Sequence, residues 1–225
     1  MNKADLTLVN RVEKYRSELK RSRVIIQVRD LGAGSLKMTS DRRSVSDIAR
    51  NSASRKKYAK LLSKLAATVN GLPVLELGTS LGISTMYMAL SAPDSLVYTI
   101  EGCDMCADIA AKGFQKNGLS NILQFRGDFD RHLEAVLKES ATPGLVFIDG
   151  NHKSDPLLRY MEVILKYSDN DTIIVLDDIH YSKDMEKGWM QIKGLKSLSI
   201  CIDINQFGLV FMKEGIRKQD FVIRY

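Results

Sequence analysis

The chain of 225 residues lacks several features, and each absence excludes a class of protein. No window approaches the run of about 18 apolar residues that a membrane-spanning helix needs. The first ten residues are polar and contain no apolar signal core, so we expect a cytoplasmic protein that is not secreted. There is no internal repeat and no low-complexity stretch.

Cysteine is also scarce. Cys103, Cys106 and Cys201 cannot all pair with one another, which fits a reducing compartment. Cys103 and Cys106 form a CxxC without the second pair that a zinc site would need, so we interpret both as small buried side chains.

The overall composition is that of a globular protein whose charge is unevenly distributed along the chain. Hydrophobic residues make up 44% of the chain and charged residues 27%, with a net charge of +6. Residues 1–70 hold 17 Lys+Arg and 6 Asp+Glu, a balance of +11, whereas residues 71–225 hold 16 and 21, a balance of −5. The basic first part indicates either an anionic partner or a solvated helical surface.

The hydrophobic pattern divides the chain at about residue 70. Apolar residues recur every three or four positions over residues 5–20 and again over residues 44–69, which predicts helices. Asn70-Gly71 then gives a helix-ending signal. We therefore expect residues 1–70 to be a basic, mainly helical extension and residues 71–225 to be the main domain.

The main domain alternates short apolar runs with helix-length segments, which predicts an α/β fold with a mostly parallel sheet. The last two strands are separated by only three residues, so we expect them to form an antiparallel hairpin. A further short run, 221–224, has the composition of a strand. The seven predicted strands are 73–77, 96–100, 122–126, 145–148, 172–176, 198–203 and 207–212. The predicted helices are 82–91, 104–117, 130–139, 155–167 and 183–193.

Acidic residues follow the carboxyl ends of the predicted strands. Glu101 follows the second strand, Asp128 the third, Asp149 the fourth, and Asp177 and Asp178 the fifth. In an open parallel sheet the ligand binds outside these strand ends, near the point where the strand order reverses. The acids at this rim therefore indicate a binding site.

The first strand leads into a glycine loop that runs from Glu76 to Ser84 with the pattern E-x-G-x-x-x-G-x-S. Gly78 and Gly82 allow the backbone to approach a ligand closely, and the following helix offers free N–H groups. The glycine spacing differs from G-x-G-x-x-G, and the loop has no phosphate-binding lysine, so it is neither a dinucleotide loop nor a P-loop. Residues 30–35 also contain glycines after a strand-like run, but no amphipathic helix follows, and we interpret them as a turn.

This loop resembles motif I of the class I methyltransferases that use S-adenosylmethionine (SAM). With Glu101 and the hairpin, the resemblance covers residues 72–213 and implies a Rossmann-like, doubly wound sheet. It implies that Gly78 contacts the methionine part of SAM, Glu101 the ribose hydroxyls and Asp128 the adenine edge. The full set of implied cofactor-binding residues is Glu76, Gly78, Ser80, Gly82, Ser84, Glu101, Gly102, Asp128 and Asp149.

A finer resemblance concerns a metal. The chain resembles the small cation-dependent O-methyltransferases of the catechol and caffeoyl-coenzyme A type and their bacterial relatives, which hold a divalent cation with one Asp and an Asp-Asn pair. Asp149 and Asp177 match this pattern, and Asp178 replaces the asparagine. The resemblance thus implies Mg²⁺ as a candidate cofactor held by these three residues, since Mg²⁺ prefers oxygen ligands. The alternative is that Asp149 orients the cofactor and the other two cap a helix.

The candidate base also departs from that family. The family carries a lysine three residues after the first aspartate, whereas this chain has His152 there, with Lys153 next. An acceptor hydroxyl must lose its proton, and histidine is the usual base near neutral pH. His152, Lys153 and His180 are therefore the candidate catalytic residues, with a structural hydrogen bond as the alternative for each histidine.

We predict a SAM-dependent methyltransferase that acts on a hydroxyl of a small-molecule acceptor. One alternative is an RNA or other nucleic-acid methyltransferase, which the basic first part favours, although the Asn/Asp-Pro-Pro-aromatic motif and a catalytic Pro-Cys pair are absent. Another is a non-catalytic SAM-binding protein. Residues 1–70 are expected to cap the acceptor site, a homodimer through them is left open, and no membrane partner is expected.

Overall fold

The structure is a computed structural model that describes residues 3–28, 41–51 and 53–225, with side chains from residue 7 onward. The turn predicted at residues 30–35 lies outside these ranges. Within them, no helix is both long enough and apolar enough to cross a membrane.

The first part of the chain is mainly helical and carries one small antiparallel hairpin. Its elements are α1 (Lys3–Leu19), β1 (Ile25–Gln27), β2 (Arg42–Ser44), α2 (Val45–Asn51) and α3 (Lys56–Ala66). The single helical stretch expected over residues 44–69 is thus divided in two. The break follows a run rich in Asn and Ser, whose side chains compete with the backbone for hydrogen bonds, and Arg55 has an extended backbone before α3.

The main domain contains the central sheet. Its strands are β3 (Val74–Leu77), β4 (Val97–Glu101), β5 (Ile122–Arg126), β6 (Leu145–Ile148), β7 (Ile173–Leu176), β8 (Ile200–Asp203), β9 (Gly208–Phe211) and β10 (Gln219–Val222). The strand order is β10-β8-β9-β7-β6-β3-β4-β5, and the pairs of β9 with β7 and with β8 are antiparallel. The mostly parallel sheet and its hairpin are therefore confirmed, and β10 adds an eighth strand parallel to β8.

Five helices cross between the strands and cover both faces of the sheet. They are α4 (Ile83–Ser91), α5 (Asp104–Lys116), α6 (Phe129–Glu139), α7 (Ser154–Lys166) and α8 (Lys183–Lys193). On one face, buried side chains of α6, α7 and α8 such as Leu137, Met161 and Trp189 form one core. On the other, α3 and α4 pack against the sheet through residues such as Leu62 and Met88.

The first part of the chain is joined to the sheet by buried contacts. The hydroxyl of Tyr58 on α3 donates to the carbonyl of Ile204 at 3.2 Å, and the hydroxyl of Tyr15 on α1 donates to the carbonyl of Leu81 at 3.0 Å. Because β3 lies between β4 and β6, the strand order reverses beside β3. The carboxyl ends of β3 and β6 therefore lie side by side at the switch point, where ligands bind in such folds.

Candidate functional site

A cavity opens at the carboxyl ends of β3, β4, β5 and β6. Six of the nine residues predicted to bind the cofactor line it, namely Gly78, Ser80, Glu101, Gly102, Asp128 and Asp149. The sheet brings them together because each follows a parallel strand that ends at the same rim. The cavity is thus built from the positions that the strand pattern indicates.

Gly78 is required by the packing of two loops against each other. Its φ is 102°, in the left-handed region, and a Cβ there would overlap the backbone carbonyl of Asp149 at the end of β6. A larger residue would therefore have to push the loops after β3 and β6 apart. The close approach fixes the floor of the cavity.

The carboxylate of Glu101 is held in place by two backbone donors. The N–H of Ser80 donates to Oε2 at 2.7 Å, and the N–H of Cys103 donates to Oε1 at 2.8 Å. Burial raises the pKa of Glu101 to about 7, although these two hydrogen bonds oppose the shift. The side chain is therefore fixed at the cavity wall before any ligand arrives.

The other three predicted cofactor residues lie beneath the loop and do not line the cavity. Glu76 is fully buried and accepts hydrogen bonds from the hydroxyls of Ser84 at 2.5 Å, Thr85 at 2.5 Å and Thr99 at 2.7 Å. Burial raises its pKa despite these bonds. Gly82 faces the ring of Phe114, which a Cβ would strike. Glu76 ties β3, β4 and the start of α4 together, so these residues shape the loop from below.

Asp128 stands at the start of α6, where its side chain accepts from the N–H of Asp130 at 2.8 Å. Next to it, Phe129 and Tyr160 form an edge-to-face ring pair with centroids 5.7 Å apart, and both line the cavity. The amide of Asn151, another lining residue, donates to the Tyr160 hydroxyl at 3.1 Å. This side of the cavity is therefore partly aromatic and lies beside a carboxylate.

Several lining residues were missed from the sequence. Phe129 directly follows Asp128 at the start of a helix, and this position beside a predicted site residue could have identified it. Three others, Val28, Arg43 and Ile48, come from the hairpin and α2 of the first part of the chain. No local pattern marks them, because only the packing of that segment over the rim brings them to the cavity.

Asp149, which is partly buried, and Asp177, which is buried, form a pair of neighbouring carboxyl groups. Burial and the charge of Asp177 hold the pKa of Asp149 well above its usual range, and burial with the charge of Asp178 raises the pKa of Asp177 to about 7. The two carboxyl groups hydrogen-bond to each other, and the raised pKa of Asp149 favours its protonated form as the donor. Oδ1 of Asp177 also accepts from Gln206 Nε2 at 3.0 Å and from the Asp178 N–H at 2.7 Å. The pair is therefore satisfied with one proton between its members.

The cation site predicted at Asp149, Asp177 and Asp178 stays a prediction. Among the described residues, no three His, Cys, Asp or Glu side chains are grouped so that they could hold a metal ion. Asp178 has a left-handed backbone with a φ of 53° and lies beside the pair without completing a cluster. A cation would have to replace the proton between Asp149 and Asp177 and draw in another ligand.

The three candidate bases lie in different surroundings. His152 Nε2 is 3.9 Å from Asp149 Oδ1, and its ring centroid is 5.2 Å from that of Tyr181. Lys153 is exposed just before α7. His180 is bound on both ring nitrogens, with Nε2 2.8 Å from Asp203 Oδ2 and Nδ1 3.2 Å from Glu186 Oε1. Of the three, His152 is the one placed next to a lining acid of the cavity.

Comparison with known proteins bears on this cavity. Residues 75–179, which carry the glycine loop and all the acids of the rim, match the family model of a methyltransferase domain. This part of the chain is similar to a methyltransferase domain. The resemblance drawn from the glycine loop is therefore confirmed, and the matched range ends just after the Asp177-Asp178 pair.

A curated relative of the methyltransferase domain is the catechol O-methyltransferase of Niastella koreensis. The two are 32% identical over 126 residues, which cover 55% of this chain and 55% of the relative. The match therefore spans about half the length of that protein.

Solved structures share the fold of the methyltransferase domain. The O-methyltransferase TomG from Streptomyces achromogenes, in complex with SAM, has a TM-score of 0.62 at 18% identity, covering 95% of this chain and 91% of that one. The O-methyltransferase from Bacillus cereus, in complex with S-adenosylhomocysteine (SAH), has a TM-score of 0.64 at 18% identity, covering 92% and 91%. At these identities the likeness shows the fold, and the Rossmann-like architecture expected from the sequence is confirmed.

Proposed function

We propose that this chain transfers a methyl group from SAM to a hydroxyl oxygen of a small-molecule acceptor. The observation that carries the proposal is the fixed carboxylate of Glu101 in the same cavity wall as Gly78. A carboxylate held by two backbone donors keeps lone pairs for a diol, and a ribose presents such a diol. The structures from Streptomyces achromogenes and Bacillus cereus, which contain SAM and SAH, support this cofactor.

The cavity offers a place for each part of SAM. In the proposed mode, Glu101 accepts hydrogen bonds from the ribose hydroxyls. The adenine lies beside Phe129 and Tyr160 with Asp128 at its edge, and the methionine part passes over Gly78 and Ser80. Asp149 then lies near the sulfonium. SAM, when bound, supplies a methyl group to the acceptor oxygen, and SAH leaves as the bond between the methyl carbon and sulfur breaks in line with the attack.

His152 is the proposed base. An acceptor hydroxyl beside Asp149 would lie within reach of the imidazole, which removes the hydroxyl proton as the oxygen bonds to the methyl carbon. In this step the acceptor gains the methyl group and loses a proton to His152. Alignment of the oxygen with the methyl group supplies much of the remaining rate. The ring of Tyr181 packs on His152 and holds its orientation.

No step of this proposal is assigned to a metal. Mg²⁺ assistance remains a prediction from the family resemblance, since the described acids do not form a three-ligand group. The name of the Niastella koreensis relative supports a catechol-like diol as the first acceptor to try. Lys153 and His180 remain candidate bases that the proposal does not use.

The test is a transfer assay with SAM labelled in its methyl group. We expect label to appear in an ether product of catechol and not in benzene, which has no hydroxyl. An RNA pool and the chain without acceptor serve as parallel arms. Label in RNA alone would favour the nucleic-acid alternative. SAM binding without transfer to any of a broad panel of phenols and alcohols would favour the non-catalytic alternative.

A further inference from the structure

The outer strand of the sheet, β10, presents an unpaired edge. It pairs with β8 on one side only. The N–H groups of Gln219 and Ile223 donate to carbonyls of the β8 segment at 2.8 Å each. Since backbone direction alternates along a strand, the N–H and C=O groups of the even-numbered residues, Asp220 and Val222, point away from β8. This side of β10 is a template for another strand.

The side chains of this edge are apolar and exposed. Val222 is 82% exposed, Phe221 44% and Ile223 47%. The strand is nevertheless held firmly at its end, because Lys57 Nζ donates to the Tyr225 carbonyl at 2.6 Å and the Tyr225 hydroxyl donates back to the Lys57 carbonyl at 3.2 Å. A fixed, exposed apolar edge loses little conformational freedom when another strand pairs with it.

We propose that β10 pairs edge to edge with β10 of a second copy, antiparallel about a two-fold axis through Val222, so that Asp220 lies opposite Arg224 of that copy. The sequence of this edge is Asp220-Phe221-Val222-Ile223-Arg224, which is complementary to itself when reversed. A two-fold interface requires this property, because each contact occurs twice.

In the proposed register, the side chains on both faces of the joined sheet are complementary. On the face of the even-numbered residues, Val222 meets its own copy between two Asp220–Arg224 ion pairs. On the other face, Phe221 lies opposite Ile223 of the second copy, which covers two exposed apolar pairs.

Other registers are disfavoured by charge. If the outward backbone groups are to face each other, a shift that centres the axis on Asp220 places two carboxylates together. A shift that centres it on Arg224 places two guanidinium groups together. A shift that centres it on Phe221 sets Arg224 against Lys218. Among these registers, only the one centred on Val222 sets opposite charges against each other, so charge favours it.

The paired strands are short, so the interface is smaller than the standard size of roughly 1,600 Å². We expect a reversible dimer with a dissociation constant on the order of 10 µM. Sedimentation velocity from about 1 to 200 µM protein should therefore show a monomer that converts to a dimer. This surface is separate from the cavity, and its failure leaves the proposed methyl transfer untouched.

Charge reversals test the register. Asp220→Arg alone and Arg224→Asp alone each set like charges opposite each other, and each should weaken self-association at least about tenfold. Mixing the two variants should restore association as a heterodimer, because every facing pair then has opposite charges. The double variant should also dimerise with itself. Lys112→Asp on α5, an exposed residue away from β10, controls for the change in net charge.

Thermal unfolding and SAH binding by each variant verify that the fold is kept. The proposal is overturned if the wild type remains a monomer at the highest concentration, or if single reversals leave its dimer intact. It is equally overturned if the mixture of the two variants associates no better than either variant alone.

Discussion

The carboxyl groups in the two halves of the rim are held by different kinds of partner. In the half formed by β3, β4 and β5, the carboxylates of Glu76 and Glu101 are each held by two or three donors from the nearby chain. In the half formed by β6 and β7, Asp149 and Asp177 hydrogen-bond to each other, and burial raises the pKa of both. Asn151 and Asp178 there adopt left-handed backbones with φ of 54° and 53°.

This difference indicates that the two halves of the rim have different roles. Donors that are already in place fix the first half for a constant ligand, and we assign that ligand as SAM. The second half holds two carboxyl groups with raised pKa values, a feature that is common where chemistry takes place. We therefore expect changes in the first half to alter cofactor affinity and changes in the second to alter turnover.

The largest effect should come from Gly78→Val. Its side chain would overlap the Asp149 carbonyl and separate the two halves. We expect SAH binding to be lost in calorimetric titration. Gly215→Val is the matched control, because Gly215 also has a positive φ, 72°, but has no atom near the position of a Cβ. Normal SAH affinity in Gly78→Val would show that the cavity floor is not where SAM binds.

The next effect should appear at His152. Removing the proposed base with His152→Ala should lower kcat by about 10² to 10³ while SAH affinity changes little. Lys153→Ala is the neighbouring control and should stay close to the wild-type rate, because Lys153 is exposed. If the two variants exchanged these outcomes, Lys153 would be the base. Equal, small losses in both would point to His180.

Glu101 should give a smaller, pH-dependent effect on the cofactor half. Its pKa of about 7 is raised by burial, so the group is largely protonated below that value. The ribose hydroxyls donate to the ionised form, and SAH affinity should therefore rise from about pH 6 to about pH 8 and then level off. Glu101→Gln cannot ionise, and we expect about tenfold weaker binding at the higher pH with a flat profile.

Asp128→Asn alters another carboxyl of the same rim and should keep the pH profile of the wild type. A Glu101→Gln variant that still gains affinity with pH would assign the titration to the Asp149–Asp177 pair, and the division between the two halves would then be wrong.

The smallest effect should be that of chelation. Since the proposed transfer uses His152 as the base and assigns no step to a metal, we expect EDTA to change turnover less than about twofold. Steady-state rates before and after dialysis against EDTA measure it. A large loss that Mg²⁺ reverses would show that Asp149, Asp177 and Asp178 rearrange around a cation, as the family resemblance implies.

Much of the fold could be predicted because each strand of the sheet carries its own signal. The buried run 145–148 is continuous and apolar, and the turn of four residues between β8 and β9 is too short for a helical crossover, so the two strands are antiparallel. The helix break near residue 52 was missed, because a weak local preference for non-helical backbone at Asn and Ser competes with a persistent apolar periodicity.

The candidate site was predictable to the extent that backbone position determines it. Glu101 and Asp128 line the cavity because they follow strands that end at one rim. The contacts of Glu76 were not predictable, since they are hydrogen bonds from three hydroxyl groups that only the fold brings to this side chain. The hydrogen bond between Asp149 and Asp177 depends on a contact between two loops, and sequence spacing carries no measure of that distance.

The most direct test of the account is a calorimetric titration of the intact chain with SAM. Gly78, Ser80, Glu101 and Asp128 are already in place around one cavity, so little binding energy is needed to order them. We predict one site per chain with a micromolar dissociation constant, corresponding to roughly −8 kcal/mol. The absence of any measurable binding of SAM or SAH would contradict the assignment of this cavity as the cofactor site.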